Sequence, residues 1–258
     1  MSPLHWNVDP ELLHIGGFAL RWYGLLFAAA FLVGYEIMRR VFRAEGKPEA
    51  DLDALLLYMM LGTVIGARLG HTLIYAPDYY LAHPWKILAV WEGGLASHGG
   101  AVGIFIALWW YARKRPDQPW LWLLDRLSIP TALGGAFIRL GNLFNSEILG
   151  HPASVPWAVV FERVDSLPRH PVMVYEALAY LAIFILLRVL YRRRLAATPP
   201  GMLLGTFLLT VFGARFVLEF FKEEQADWVA GSLTVGQWLS VPMVMAGLIL
   251  LLRARRHA

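Results

Sequence analysis

Long apolar runs separated by short polar links set the pattern of this chain. They fall near 18–40, 53–75, 95–112, 121–143, 171–191, 202–221 and 235–252, each close to the roughly 20 residues that a helix needs to cross a bilayer core. The pattern predicts an all-α, polytopic membrane bundle of about seven transmembrane helices, in a single domain over residues 1–258. Met1 to Leu20 has no cationic leader, includes Asp9 and Glu11, and runs directly into the first span. It is therefore expected to stay in the mature chain rather than to act as a secretory signal.

The breaks in the pattern are informative. Residues 151–170 are mixed in polarity, carry Pro152, Pro156 and Pro168, and alternate around Trp157 to Phe161, which allows a short strand pair. With the end of the preceding helix they form a small external cap at about 144–170. The segment holding His5, Trp6, Asp9, Pro10 and Gly16-Gly17 is expected at the membrane interface, with Trp6, Trp22 and Tyr23 as interfacial aromatics. Gly62, Gly66 and Gly70 repeat every four residues along the second span, a small-residue face for close helix packing.

Composition settles the class and charge the orientation. Hydrophobic residues make up 58% of the chain and charged ones 16%, and the mean hydropathy is +0.51, far to the apolar side of a soluble domain. Arg39, Arg40, Arg43 and Lys47, then Arg113, Lys114 and Arg115, then Arg192 to Arg194, then Arg253, Arg255 and Arg256 all fall on one side of the membrane. The other side has Arg21, Lys86, Arg163, Arg169 and Lys222. The positive-inside rule then puts the N-terminus outside and the C-terminus in the cytoplasm. Dispersed among loop ends, these cations form no patch for nucleic acid. Cysteine is absent, which excludes disulfides and thiolate chemistry of the chain's own.

Chemistry concentrates in Gly134 to Gly150, where an apolar segment suddenly carries Arg139, Asn142, Asn145 and Glu147. At helical pitch Arg139, Asn142 and Asn145 share one ridge, too polar to face lipid. Arg68, Arg139 and Arg215 come from spans two, four and six, each in the outer half, and His98, Glu147, Glu176 and Glu219 fall at the same level. Three arginines at one depth fit a phosphate, which the guanidinium fork binds bidentately. The lipid depth favours a phospholipid headgroup over a soluble anion. His98 stands among Gly93, Gly94, Gly99 and Gly100, which leave room for a substrate. Arg215 and Glu219 are spaced for a mutual ion pair, while Arg126 and Arg188 are read as snorkelling to the cytoplasmic face.

The segments Arg21-Trp22-Tyr23-Gly24, Gly94 to Gly100, Arg139-Leu140-Gly141-Asn142-Leu143-Phe144-Asn145-Ser146-Glu147 with Gly150, Arg169-His170-Pro171 with Tyr175-Glu176, and Arg215-Phe216 with Glu219-Phe220-Phe221 resemble the prolipoprotein diacylglyceryl transferase family. The resemblance spans nearly the whole chain, and its Arg-x-Gly-Asn-x-x-Asn-x-Glu-x-x-Gly run is specific. Ile138, Leu143 and Val172-Met173 stand where the family usually has glycine, phenylalanine and Ser-Gln. The resemblance implies transfer of a diacylglyceryl group from phosphatidylglycerol to the lipobox cysteine thiol of a prelipoprotein, in the bacterial inner membrane with the site facing the outer leaflet. It implies His98 as the base, and Arg139 and Arg215 as phosphate ligands with Arg68 as a weaker third. Tyr23, Asn142, Asn145, Glu147, Gly150, Glu176 and Glu219 follow as substrate-binding or orienting residues, with no metal or other cofactor. A solute transporter would place such arginines nearer the midplane, on broken or repeated helices. An intramembrane protease or lipid phosphatase would need nucleophile or paired-aspartate motifs that do not occur here.

Overall fold

The computed structural model describes residues 3–16, 18–90, 93–94, 96–223 and 233–256. Gly17 and Leu95, both within segments named above, lie outside the described residues. The chain is mostly helical, with α1 (Trp22–Ala44), α2 (Ala50–Gly70), α3 (Pro77–Ala82), α4 (Ser97–Arg113), α5 (Trp120–Asn145), α6 (Val172–Arg194), α7 (Met202–Leu218) and α8 (Val235–Arg255). Among the described residues, Ala50–Tyr75, Trp120–Asn145, Val172–Ala197, Met202–Phe221 and Val235–Arg255 are long and apolar enough to cross a membrane. The protein is thus multi-pass. Of the two other expected spans, 18–40 opens as a strand and its helix carries Glu36, Arg39 and Arg40, while 95–112 yields only the 17-residue α4.

The chain divides into two compact units, residues 1–38 with 125–258, and residues 39–124. In the smaller unit α2 and α4 pack backbone to backbone. A Cβ on Gly62 would lie 2.7 Å from the Gly103 carbonyl oxygen, and one on Gly70 would lie 2.7 Å from Gly99 Cα. The glycine face of α2 therefore meets a matching glycine face on α4, as small residues allow when side chains would hold helices apart. Near the other ends of these helices, Asp51 accepts hydrogen bonds from Arg115 Nε and Gln118 Nε2, each at 2.7 Å, and the Tyr111 hydroxyl donates to Gln118 Oε1.

The larger unit holds most of α5 and all of α6, α7 and α8. Pro199, Pro200 and Gly201 precede α7, and the fully buried carboxylate of Asp125 accepts the N–H groups of Gly201 at 2.6 Å and Leu204 at 2.8 Å. A carboxylate from another helix thus satisfies N–H groups that a helix start leaves open. Arg126 Nη1 lies 3.7 Å from that carboxylate, and Arg126 is 2% exposed. It is buried rather than snorkelling. α8 starts with a reciprocal capping box between Thr234 and Gln237.

Two small sheets complete this unit. Strands β1 (Leu4–Trp6), β4 (Val159–Phe161) and β5 (Pro168–Arg169) run in the order β1-β4-β5, with β1 parallel and β5 antiparallel to β4. Strands β2 (Glu11–Ile15) and β3 (Phe18–Arg21) form a hairpin. The strand pair expected in 151–170 forms, and the N-terminal segment adds the third strand. Trp6, half-buried, packs against the cluster of Leu149, Phe161 and Met173 and meets Phe144 edge-on at 5.7 Å. Trp22 stacks on the same Phe144 ring at 4.8 Å. Between β4 and β5, the Arg169 guanidinium and the Leu167 N–H hold the Asp165 carboxyl below the usual carboxylate range.

Two outcomes follow for thermal unfolding in detergent. Gly66→Leu sets a branched side chain against the Gly103 backbone and should lower the melting temperature sharply, beyond the cost of about 1–3 kcal/mol usual for core overpacking. The lowered value at Asp165 means that its contribution is complete above the ordinary carboxylate range and is lost as pH falls through the depressed value. Asp165→Asn should therefore lower stability near neutrality and remove part of the loss seen at acid pH.

Candidate active site

The site is built where α5 stops. Arg139 Nη1 donates to Asn142 Oδ1 at 3.1 Å, Asn142 Nδ2 donates to Glu147 Oε2 at 3.0 Å, and Asn145 Nδ2 donates to Glu147 Oε1 at 3.0 Å. Glu147 reaches back to this ridge because the helix end reverses the chain. The Ser146 N–H donates to the Leu143 carbonyl and the Glu147 N–H to the Asn142 carbonyl, with Ser146 at φ 54°. This pair of bonds closes a helix through a left-handed residue. Ile148 follows at φ 58°, a conformation costly for a β-branched side chain.

The turn ends at Gly150. Its N–H donates to the His170 carbonyl at 3.2 Å, and its own carbonyl accepts Arg169 Nη1 at 3.1 Å. His151 and Glu223 tie the same stretch to the segment after α7, through the Phe221 and Leu149 carbonyls. A Cβ on Gly150 would lie 2.5 Å from the His170 oxygen and 2.7 Å from the Phe221 oxygen. Only glycine fits between these two strands of backbone.

Behind the turn lies a buried charge cluster. Glu176, on α6, is 0% exposed. Arg139 Nε lies 2.8 Å from its Oε2 and Lys222 Nζ lies 2.8 Å from its Oε1, as ion pairs without hydrogen-bond alignment. Lys222, itself buried, also donates to Glu219 Oε2 at 3.2 Å. The Glu219 carboxylate rests on the start of α8, where a Cβ on Gly236 would overlap it. Tyr180 lies within electrostatic reach of Arg139, Glu176 and Arg215. Tyr23 packs its ring on Gly141 and feels the charges of Glu147 and Arg139.

Arg215 stands apart from this pairing. It is half-buried on α7, and among the described residues no carboxylate pairs with it. The pair with Glu219 expected from their spacing is not formed. After Leu218 the chain tightens into a 3₁₀ turn over Glu219–Phe221, in which residues i and i+3 eclipse, and Glu219 meets Lys222 instead. Tyr23, Arg139, Asn142, Asn145, Glu147, Gly150, Glu176, Arg215 and Glu219 are thus gathered in the larger unit. Lys222 is the member that sequence reading passed over. It counts there as one more loop cation, although its place three residues after Glu219 at the end of an apolar span is the signal that could have found it.

Arg68 and His98 belong to the smaller unit. Arg68 is 3% exposed, and its guanidinium donates to the carbonyls of Lys86, Ile87, Gly93 and Gly94. It packs over the Tyr80 ring at 5.1 Å. Arg68 therefore ties down the link to α4, where Gly93 and Gly94 take φ values of 84° and 70°. His98 is exposed in the first turn of α4. Among the described residues no group of three or more histidine, aspartate or glutamate side chains is placed to hold a metal ion.

Comparison with known proteins is consistent across the chain's length. The family model described as prolipoprotein diacylglyceryl transferase matches residues 10–253. A protein of Tolumonas auensis named phosphatidylglycerol–prolipoprotein diacylglyceryl transferase is 57% identical over 255 residues, 98% of each chain. Proteins of the same name from Chloroherpeton thalassium and Porphyromonas gingivalis are 52% and 44% identical, covering 100% and 98% of this chain and 96% and 95% of their own.

The fit at Gly150 can be tested on stability alone. Gly150→Ala should destabilise the protein by about 1–3 kcal/mol or more, since its methyl group meets two backbone oxygens. Gly213→Ala, whose Cβ meets nothing within 4 Å, should leave the melting temperature unchanged or slightly raised.

Proposed function

We infer the reaction from one premise: this chain belongs to the prolipoprotein diacylglyceryl transferase family. It transfers the diacylglyceryl group of phosphatidylglycerol to the thiol of the lipobox cysteine in a prelipoprotein, the first step of lipoprotein maturation. Relatives of 57% and 52% identity over nearly the full chain bear that activity in their names. The observation in this molecule that carries the reading is Arg215, a half-buried guanidinium with no carboxylate of its own among the described residues, close to the Arg139 cluster. A cation left so at the end of an apolar helix calls for an anion from outside the chain.

The chemistry is a displacement at carbon. The cysteine sulfur forms a C–S bond to the glyceryl carbon, and the C–O bond to phosphate breaks with its electron pair going to the phosphate oxygen. Glycerol phosphate leaves, and the thiol proton passes to a base. In this reading Arg139 and Arg215 bind the phosphate and stabilise the charge that grows on it. His98, exposed and flanked by glycines, takes the proton, and Arg68 shapes the link that presents it. Tyr23, Asn142, Asn145 and Glu147 orient the headgroup and Arg139, Gly150 provides the tight turn, and Glu176 and Glu219 hold the cations in place.

The same reading places the chain in the bacterial inner membrane as about seven transmembrane helices forming one domain over residues 1–258. The N-terminus lies outside, the C-terminus in the cytoplasm, and residues 144–170 cap the site at the outer leaflet. The cation bias described above supports this orientation. The lipobox peptide then approaches from outside, and the lipid enters from the bilayer.

Purified protein in liposomes of phosphatidylglycerol, given a lipobox peptide, should release thioether-linked peptide and glycerol phosphate in equal amounts. A Cys→Ser peptide should give neither. Absence of product from folded, lipid-binding protein would overturn the transferase reading. Arg139→Lys should keep the fold and lose activity by about 100-fold or more, because an ammonium cannot hold the planar two-point contact. His98→Gln should lose activity at all pH values, and near-normal transfer by that variant would remove His98 from the role of base.

A further inference from the structure

Among the described residues, each charged group around the site has a partner that can be named except one. Glu147 is held by Asn142 and Asn145. Glu176 lies between Arg139 and Lys222, and Glu219 lies between Lys222 and the first turn of α8 at Gly236. The remaining group, Arg215, lies one helical turn from Glu219, at a spacing that would ordinarily pair them.

We propose that Lys222 is a positioning residue of the transferase reaction: by claiming Glu219 it keeps that carboxylate off Arg215, and by sharing Glu176 with Arg139 it weakens the hold of Glu176 on that guanidinium, so that both arginines stay available to the lipid phosphate. The proposal rests on the reading of Arg139 and Arg215 as phosphate ligands, and adds how they stay available. Three features support it. Lys222 is buried, so its charge acts on its two neighbours with little screening. Its backbone pairs with Gly150 and its N–H donates to the Glu219 carbonyl, which fixes the ammonium at the junction of the cap turn and the end of α7. Glycine at 236 provides the space into which the Glu219 carboxylate is drawn, away from its own helix.

Without the ammonium, Glu219 has a ready alternative in Arg215, and Glu176 is left with Arg139 alone. Both changes tighten internal ion pairs that a phosphate must then displace. Lys222 touches neither thiol nor lipid in this scheme. It acts through the two carboxylates on substrate affinity more than on the displacement itself.

The test is a double-mutant cycle in phosphatidylglycerol liposomes with a lipobox peptide, reading KM for the lipid and kcat separately. Lys222→Met should raise KM for phosphatidylglycerol by about 10-fold or more, with a smaller change in kcat. Lys222→Arg should restore it. Glu219→Gln in the Lys222→Met background should recover most of the affinity, because the competing carboxylate is gone. A merely structural lysine would give losses that add in the double variant, and that result would overturn the proposal, as would an unchanged KM in Lys222→Met. Should Lys222→Met fold poorly, Gly236→Ala tests the same idea by pushing the Glu219 carboxylate off α8, and an unchanged lipid KM there would equally count against it. Binding of phosphatidylglycerol by Arg215→Gln keeps the two readings apart: undiminished binding would remove the phosphate role of Arg215, whatever Lys222 does.

Discussion

A carboxylate with no access to water governs the geometry of the larger unit. Glu176 is fully buried, and an unpaired charge in such surroundings would cost several kcal/mol even after relaxation. Arg139 from α5 and Lys222 from the chain after α7 supply the compensation, each 2.8 Å away. One side chain on α6 thereby fixes where two other segments lie. The arrangement is strong evidence of position rather than of stability, since an apolar group of the same size could pack as well. What an apolar group could not do is orient a guanidinium.

Backbone hydrogen bonds complete what the charges begin. The end of α5 is closed by the left-handed Ser146, and the chain then passes Gly150 between His170 and the strand-like stretch after α7. Arg169 donates to the Gly150 carbonyl and to Asp165 and Glu223, linking this turn to the small sheet. The polar ridge therefore rests on backbone contacts that leave little freedom at 145–150. Trp6, Leu149, Phe161 and Met173 give the same region its own apolar core.

The sequence made some of this legible and hid the rest for identifiable reasons. Helical periodicity placed Arg139, Asn142 and Asn145 on one ridge, and four-residue spacing announced the packing face of Gly62, Gly66 and Gly70, because both depend only on the regular helix. The return of Glu147 to Asn142 was not legible, since it requires a left-handed residue at Ser146, a position that glycine rather than serine would have flagged. The spacing of Arg215 and Glu219 misled where α7 gives way to a 3₁₀ turn. Arg126 was misplaced because residue type alone does not tell a buried arginine from one at a membrane surface. The β1 strand was hidden because its partner lies more than 150 residues away in sequence.

Asp125 has a mechanical consequence. Its carboxylate grips the first N–H groups of α7, while the far end of that helix is sewn to the cap turn through Lys222 and His151. With a rise of about 1.5 Å per residue, the helix is a strut clamped at both ends. Sliding it by one turn would break both clamps together. Arg215, about two turns before the far clamp, is thereby held in register along the axis, and only its side chain keeps freedom to follow a ligand.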